Sequence, residues 1–221
     1  MFQVFHPLYA HQITIYEAGG NGMKVEFLKI CSDVTKTAKK IPQHDYLNYG
    51  AYPVYDQGQK LISGYCNDSD GIANDCPYIV FGDHTRILKY IEQPCFIGAD
   101  GVKLLKVFNE HFNHKYVFYA LMAHPIKNQG YSRHFKYLKE AQIKNIDLDK
   151  QSKVVTFLDL LNSSIKNKRQ QLIFLDELIK STNFFFFYLN QRTYRIQSRN
   201  YIILFYQISI IHFFRKICFF F

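Results

Sequence analysis

The sequence lacks the short patterns that usually reveal catalysis or nucleotide binding. It contains no Walker phosphate loop, no glycine-rich dinucleotide fingerprint, no Asn/Asp-Pro-Pro-aromatic motif and no paired acid-plus-lysine nuclease core. No Gly-rich or Pro-rich repeat occurs, which excludes the fibrous classes. We therefore predict no catalytic residue, and we expect this chain not to cleave, methylate or hydrolyse a substrate by itself.

The five cysteines are poorly spaced for a metal site. Cys66, Cys76 and His84 do not match a zinc-ligand spacing, and the acidic loop 67–75 lacks the closing Glu of a calcium loop. Residues 1–22 have no basic segment followed by an apolar run, so they do not resemble a secretory signal. We predict no metal site, reduced cysteines and a cytoplasmic protein.

The basic excess is concentrated towards one end of the chain. Lysine and arginine number 27 against 18 acidic residues, which gives a formal net charge of +9. Residues 183–221 carry five of the basic side chains and no acid, so the rest of the chain is only mildly basic. Charge alone therefore does not establish DNA binding.

The two ends of the sequence differ in composition from its middle. Residues 183–221 contain no Asp, Glu, Gly or Pro and are rich in Phe, Tyr and Ile, which favours out-of-frame or read-through translation of A/T-rich DNA. The alternative is a membrane anchor, although the longest uncharged stretch, 200–214, is shorter than the roughly 18–20 residues that a spanning helix needs. Residues 1–22 are predicted to be a non-native or disordered extension that precedes Met23.

Residues 23–147 alternate short apolar runs with turn signals. Buried strands are predicted at 78–81, 95–98 and 102–107, and a helix is predicted around 117–122. This pattern indicates an α/β class, a mixed α+β domain with several short strands and few helices.

Residues 148–182 carry the clearest periodicity in the chain. Apolar side chains alternate four and three residues apart over about four heptads, interrupted by Lys168, and Asp149 is the predicted N-cap. We interpret the stripe as a coiled-coil seam that meets a partner helix; the alternative is an amphipathic helix that packs on its own domain. The seam, with its predicted oligomerisation residues, consists of Val154, Leu158, Leu161, Ile165, Leu172, Leu175 and Ile179.

Four phrases and the helix follow one another in an order that resembles a known family. The phrases read YPVYDQGQ at 52–59, VFGDHTR at 80–86, GADGVK at 98–103 and GYSRHFKYLK at 130–139. Together with the helix from 149 to 181, they resemble the specificity (S) subunit of type I restriction-modification enzymes. The resemblance covers about residues 23–181.

The resemblance implies a plan in which two target-recognition domains, each followed by a long helix, read the two halves of a split DNA target. It implies as partners double-stranded DNA, a modification subunit that uses S-adenosylmethionine, and a restriction subunit that uses ATP and magnesium. No cofactor is expected on this chain itself. The sequence departs from the plan because it has one recognition domain (23–147), one helix (148–182) and no internal repeat. Such a half-length subunit is expected to form a homodimer or to pair with another half-subunit.

Basic residues interleaved with aromatic ones are the candidate DNA contacts. Arginine and lysine neutralise phosphates, and arginine can also read guanine in the major groove. The alternative is that these basic residues are ordinary solvated charges on the protein surface. Because the recognised phrases occur in subunits that read different sequences, base-reading residues are expected between the phrases. The predicted DNA-binding residues are Arg86, Lys89, Lys103, Lys106, Tyr131, Ser132, Arg133, His134 and Lys136.

The function predicted from these observations is sequence-specific DNA recognition within a type I restriction-modification system. Two alternatives stay open at this point. One is a non-functional truncated remnant of such a subunit, and the other is a membrane-associated adaptor anchored by the aromatic tail.

Overall fold

Ten short strands precede one long helix in the part of the chain that the computed structural model describes, residues 23–127, 130 and 132–193. This confirms the predicted mixed α+β class, and the buried strands and the central helix fall where they were expected. The strands are β1 (Lys24–Glu26), β2 (Cys31–Asp33), β3 (Lys40–Ile41), β4 (Tyr52–Tyr55), β5 (Gly64–Cys66), β6 (Tyr78–Gly82), β7 (Leu88–Ile91), β8 (Phe96–Gly98), β9 (Val102–Val107) and β10 (Gln142–Lys144). The helices are α1 (His114–Ala123), α2 (Phe135–Leu138) and α3 (Leu148–Thr193).

Two four-stranded sheets form the body of the domain. The first is antiparallel throughout and has the order β2-β9-β6-β7. The second has the order β3-β8-β4-β5, in which β8 pairs in parallel with both β3 and β4, and β5 closes the edge antiparallel to β4. A separate antiparallel pair joins β1 to β10, so both ends of the 23–147 segment meet.

The hydrophobic core lies between these two sheets. Every residue of β6 is buried, as expected of a continuous apolar run in a strand that is paired on both sides. Its alternate side chains Tyr78 and Val80 pack in one cluster with Tyr55 and Ile97 of the second sheet. The core is therefore shared by both sheets, and the loops at the strand ends are held in fixed positions.

The first turns of α3 are part of this domain. The Gln151 side chain is fully buried; its Oε1 accepts from Asn113 N at 2.7 Å, and its Nε2 donates to His111 O at 2.8 Å and Ile146 O at 2.7 Å. Asn113 in turn caps α1, because its side chain accepts from the backbone amides of the first turn. One glutamine thus links the start of the long helix to the start of α1.

Two features of the helix differ from the sequence prediction. The predicted cap at Asp149 is wrong, because α3 begins at Leu148 and Asp149 lies in its first turn, where a carboxylate still complements the helix dipole. The helix also continues through the predicted 182–183 boundary to Thr193, since this segment contains no Gly or Pro that would end it. The prediction for residues 1–22, and the part of the tail prediction that concerns residues 194–221, lie outside the described residues.

The seam divides into a buried and an exposed part. Val154 is 4 % and Leu158 is 2 % exposed, because α3 packs on the domain there, and Asp159 beside them contacts Lys115 and Tyr119 of α1. These two residues are therefore corrected from partner contacts to core residues. The chain divides into two compact units after Leu160, and in the second unit Leu172, Leu175 and Ile179 are at least half exposed.

Membrane insertion was one alternative for the aromatic tail. Within 23–127, 130 and 132–193, no helix is both long enough and apolar enough to cross a bilayer. Residues 194–221 of the tail lie outside that search.

Candidate nucleic-acid interface

The turn between β6 and β7 organises one end of the domain. Gly82 N donates to Ile87 O at 2.8 Å, and Arg86 N donates to Gly82 O at 2.7 Å, which closes a tight turn. Arg86 has a φ of +62°, a left-handed conformation that side chains with a Cβ rarely adopt. Its Nη1 donates to Ile126 O at 3.1 Å, so the strained residue also anchors the segment that follows α1.

The four phrases that carried the resemblance meet at this turn. Gln57 from the first phrase accepts from His84 N at 3.3 Å and, through its backbone oxygen, from Thr85 Oγ1 at 2.7 Å. Gly101 from the third phrase accepts from Asp83 N at 2.7 Å. A Cβ at Gly101 would lie 2.7 Å from the His84 ring and 2.8 Å from the Gln57 amide oxygen, so glycine is required there for the close approach.

The fourth phrase joins the same cluster through a buried aspartate. Asp83 is 5 % exposed; its backbone oxygen accepts from His134 N at 2.8 Å, and its Oδ1 accepts from Phe135 N at 2.7 Å. This double contact fixes the start of α2 to the β6–β7 turn. The phrases therefore form a scaffold that positions the exposed side chains around them.

A group of cationic side chains lies at and beside α2. We call it the α2 surface and define it as Lys103, Arg133, Lys136 and Lys139. Lys103 Nζ lies 5.1 Å and Lys139 Nζ 5.2 Å from the Phe135 ring centroid, and Lys136 Nζ lies 4.8 Å from that of Tyr137. The Phe135 ring packs against Phe81 and Phe27, so a core contact orients the centre of this surface.

One carboxylate binds a cation of the α2 surface and would compete with an anionic ligand for it. Asp33 Oδ2 accepts from Lys103 Nζ at 3.0 Å, and both side chains are about one-third exposed. Partial burial raises the pKa of Asp33, but hydrogen bonds from Thr35 and the Lys103 ammonium more than offset that effect and lower the pKa below its ordinary value of 3.8. Asp33 is therefore ionised at neutral pH and offsets part of the Lys103 charge.

Two predicted DNA contacts are corrected because the structure buries them. Lys89 is 1 % exposed and pairs with Asp56 Oδ1 at 3.4 Å; burial lowers the pKa of its ammonium although Asp56 opposes that shift. His134 is fully buried, and its Nδ1 donates to Asp83 O at 2.9 Å. Their positions beside turns resembled surface positions in sequence, but neither side chain can reach a phosphate in this fold.

Lys106 is placed away from the α2 surface. Lys103 and Lys106 are three residues apart on β9 and therefore project from opposite faces of the sheet. Lys106 Nζ pairs with Asp75 Oδ1 at 3.1 Å and lies 5.3 Å from the Tyr78 ring centroid, beside a cleft of about 310 Å³. Although these two lysines are close in sequence, they do not form one cationic surface patch.

The remaining predicted contacts have mixed positions. Arg133 and Lys136 are exposed, whereas Ser132 is half-buried with its Oγ 3.5 Å from His134 Nε2. Tyr131 lies outside the described residues. Lys139, the last residue of the 130–139 phrase, was not among the predicted contacts, although its position directly after α2 and four residues after Phe135 was the available signal.

The chemistry that this end of the domain can perform is anion binding. The α2 surface offers four cations, two of which lie over the Phe135 ring and one over the Tyr137 ring, and such a cluster is suited to phosphates. Among the residues that the structure describes, no group of His, Cys, Asp and Glu side chains could hold a metal ion.

Comparison with solved structures shows which known proteins share this architecture. The type I restriction-modification S subunit from M. genitalium aligns with a TM-score of 0.59 at 18% identity, covering 80% of this chain and 51% of that one. A chain from a structure describing complex assembly and conformational transition of a type I R-M system aligns with a TM-score of 0.56 at 14% identity, covering 74% of this chain and 45% of that one. The fold is that of a type I S subunit.

The alignment covers only part of each of those structures. This chain spans about half the length of each aligned chain. No protein-family model and no curated protein sequence matches the chain.

Proposed function

We propose that this chain is a non-catalytic DNA-specificity subunit of a type I restriction-modification system and reads one half of a split target. The observation that carries the proposal is the S-subunit fold, which aligns over 80% of this chain. The α2 surface supports it, because its four exposed or partly exposed cations offer a phosphate-binding face.

The partners follow from the same proposal. In the cytoplasm, the modification subunit methylates DNA with S-adenosylmethionine and the restriction subunit cleaves DNA with ATP. This chain determines the DNA sequence at which they act. The exposed part of α3, from Leu161 to Ile179, is the proposed contact with a second copy, with another half-subunit or with the modification subunit. A half-length subunit needs such a contact in order to recognise both halves of a target.

Binding of the full chain to duplex DNA tests the proposal directly. We expect an affinity that falls as salt rises, because each neutralised phosphate releases counterions. Selection from a random duplex library is expected to yield one preferred half-site. Absence of any duplex binding at low salt would overturn the proposal.

A further inference from the structure

Arg86 occupies a position where an arginine is costly. Its φ of +62° lies in the left-handed region, which glycine adopts freely and residues with a Cβ adopt at a cost in folding free energy. Its Nε is also buried, and among the described residues this nitrogen has no hydrogen-bond partner. A glycine would allow the same turn at a lower cost, so the reason for an arginine lies in its side chain.

The side chain of Arg86 holds the segment that follows α1. Arg86 Nη1 donates to Ile126 O at 3.1 Å. Two residues earlier, at the C-terminal cap of α1, His124 Nε2 donates to Tyr137 O at 3.3 Å and so reaches α2. Arg86 is therefore connected to the end of α2 through the segment 124–126, and both contacts along this connection are hydrogen bonds to backbone carbonyls.

The same turn holds the start of α2. The backbone oxygen of Asp83 accepts from His134 N at 2.8 Å, and its Oδ1 accepts from Phe135 N at 2.7 Å. α2 is four residues long, and an isolated helix of that length is not stable in water, so its position depends on contacts with the domain. The β6–β7 turn supplies a contact at each end of α2, directly through Asp83 and indirectly through Arg86.

We infer that Arg86 is a positioning residue whose guanidinium helps to fix the α2 surface in the geometry that binds duplex DNA. The inference rests on the proposed function and replaces the direct DNA contact predicted for Arg86 from the sequence. It assigns no base contact to Arg86, in agreement with the expectation that base-reading residues lie between the phrases. It also accounts for the strained backbone, because the cost is retained where geometry serves binding.

Hydrogen exchange of the full chain without DNA tests the positioning. Arg86→Gly removes the strain and the buried Nε together with the hydrogen bond, so the urea midpoint of unfolding should equal or exceed that of the wild type. The amides of residues 138–141, which bond within α2 and its C-terminal end, should exchange about 3- to 30-fold faster, as expected for the loss of one hydrogen bond. His124→Ala should give a similar increase, because it removes the next bond of the connection. Lys106→Ala is the control and should leave this exchange unchanged.

Duplex binding at low salt tests the connection with the proposed function. Arg86→Gly is expected to bind duplex DNA about 3- to 10-fold more weakly than the wild type, because the cations of the α2 surface are less well placed. In the Arg133→Ala and Lys136→Ala variant, which lacks two of those cations, the same substitution should change affinity by less than about twofold. Loss of a direct phosphate contact by Arg86 would instead weaken binding equally in both backgrounds.

The outcomes separate this inference from the proposed function. The inference is overturned, and the proposed function stands, if Arg86→Gly weakens duplex binding equally in both backgrounds or leaves it unchanged. It is also overturned if the exchange of residues 138–141 stays at the wild-type rate or rises only as much as that of the whole domain, because Arg86 would then serve stability alone. If the wild type binds no duplex, the proposed function and the inference are both overturned.

Discussion

The lysines of residues 23–147 differ in what their ammonium groups contact. Lys89 is buried and pairs with Asp56, and Lys106 pairs with Asp75. Lys103 forms an ion pair with Asp33 and lies over the Phe135 ring. Arg133 and Lys136 are exposed, and the Lys136 ammonium lies over the Tyr137 ring. Basic residues that look equivalent in sequence therefore make different contributions to stability and to anion binding.

The exposed cations of the α2 surface should control the salt dependence of DNA binding. We expect the double variant Arg133→Ala and Lys136→Ala to bind all duplexes more weakly and to reduce the slope of log affinity against log salt by about 2, because two phosphate contacts are lost. Lys106→Ala, on the opposite face of β9, is the control and should leave the slope unchanged. A slope that stays the same in the double variant would remove α2 from the interface.

Lys89 should matter for folding and not for binding. Lys89→Ala removes a buried partner from Asp56 and leaves a cavity, so we expect a loss of about 3 kcal/mol in the free energy of unfolding measured in urea. In the folded wild type, burial lowers the Lys89 pKa, so the unfolded state binds more protons. Stability should therefore rise as pH increases from the lowered pKa towards 10.5, and this rise should be absent in the variant.

Asp33 should restrain Lys103 and also contribute to stability. Asp33→Asn is expected to raise duplex affinity up to about fivefold at low salt, because Lys103 is no longer shared, and to cost less than about 1 kcal/mol of stability at pH 7. Since the folded-state pKa of Asp33 is lowered, its contribution is present above about pH 3.8 and is lost as pH falls through the lowered pKa.

Binding titrations at fixed salt and acid titrations of unfolding are the two measurements for this variant. An unchanged affinity would mean that Lys103 does not meet phosphate. An unchanged acid profile would mean that the Asp33–Lys103 pair contributes nothing to the folded state.

At the scale of elements, α3 shows both the strength and the limit of a periodic pattern. The four-and-three spacing predicted a long helix, and the helix is present from Leu148 to Thr193. Spacing could not distinguish which turns pack on the domain, because core and coiled-coil stripes have the same period. Only the surroundings of Val154 and Leu158 in the folded chain make that distinction.

The exposed part of the seam should mediate self-association. Full burial of each Leu or Ile is worth roughly 1.5–3 kcal/mol, so an uncovered stripe favours a second copy. Leu161→Asp with Leu175→Asp should give monomers by light scattering while the helix is retained by circular dichroism. Lys168→Leu should strengthen association, because the ammonium no longer has to leave the interface.

A variant of the buried part of the seam provides the contrast. Val154→Asp should destabilise the domain by several kcal/mol without acting through association, because it buries an unpaired charge. A wild-type chain that stays monomeric at micromolar concentration, with an intact helix, would exclude the homodimer and leave docking to a different subunit.

The strands were partly predictable for a physical reason. Continuous apolar runs such as Tyr78–Phe81 signal a strand that is covered on both faces, and β6 has that environment. The parallel pairing of β8 with β3 and β4 leaves no such signal, because it is decided by contacts between distant segments. The burial of His134 was hidden for the same reason, since its partner Asp83 is far away in sequence.

At the scale of the whole molecule, the proposed function predicts the symmetry of a DNA target read by a chain with one domain and one long helix. If two copies associate through α3 about a twofold axis, each reads the same half-site, so the selected target should be palindromic with a gap. Selection from a library that contains two randomised half-sites separated by a variable spacer measures this. Recovery of single half-sites without symmetry or fixed spacing would show that the copies do not act as a pair.

The glutamine that links α3 to α1 has a consequence for exchanging recognition domains between such chains. Gln151 satisfies the amide of Asn113 and the carbonyls of His111 and Ile146, so three backbone groups of the domain depend on one side chain of the helix. A graft joined at residue 147 would bring its own loop but inherit the recipient's helix. Such chimaeras should fold well when the recipient supplies an amide at position 151 and poorly when it does not. The residue at position 151 therefore determines which domains and helices can be combined in one chain.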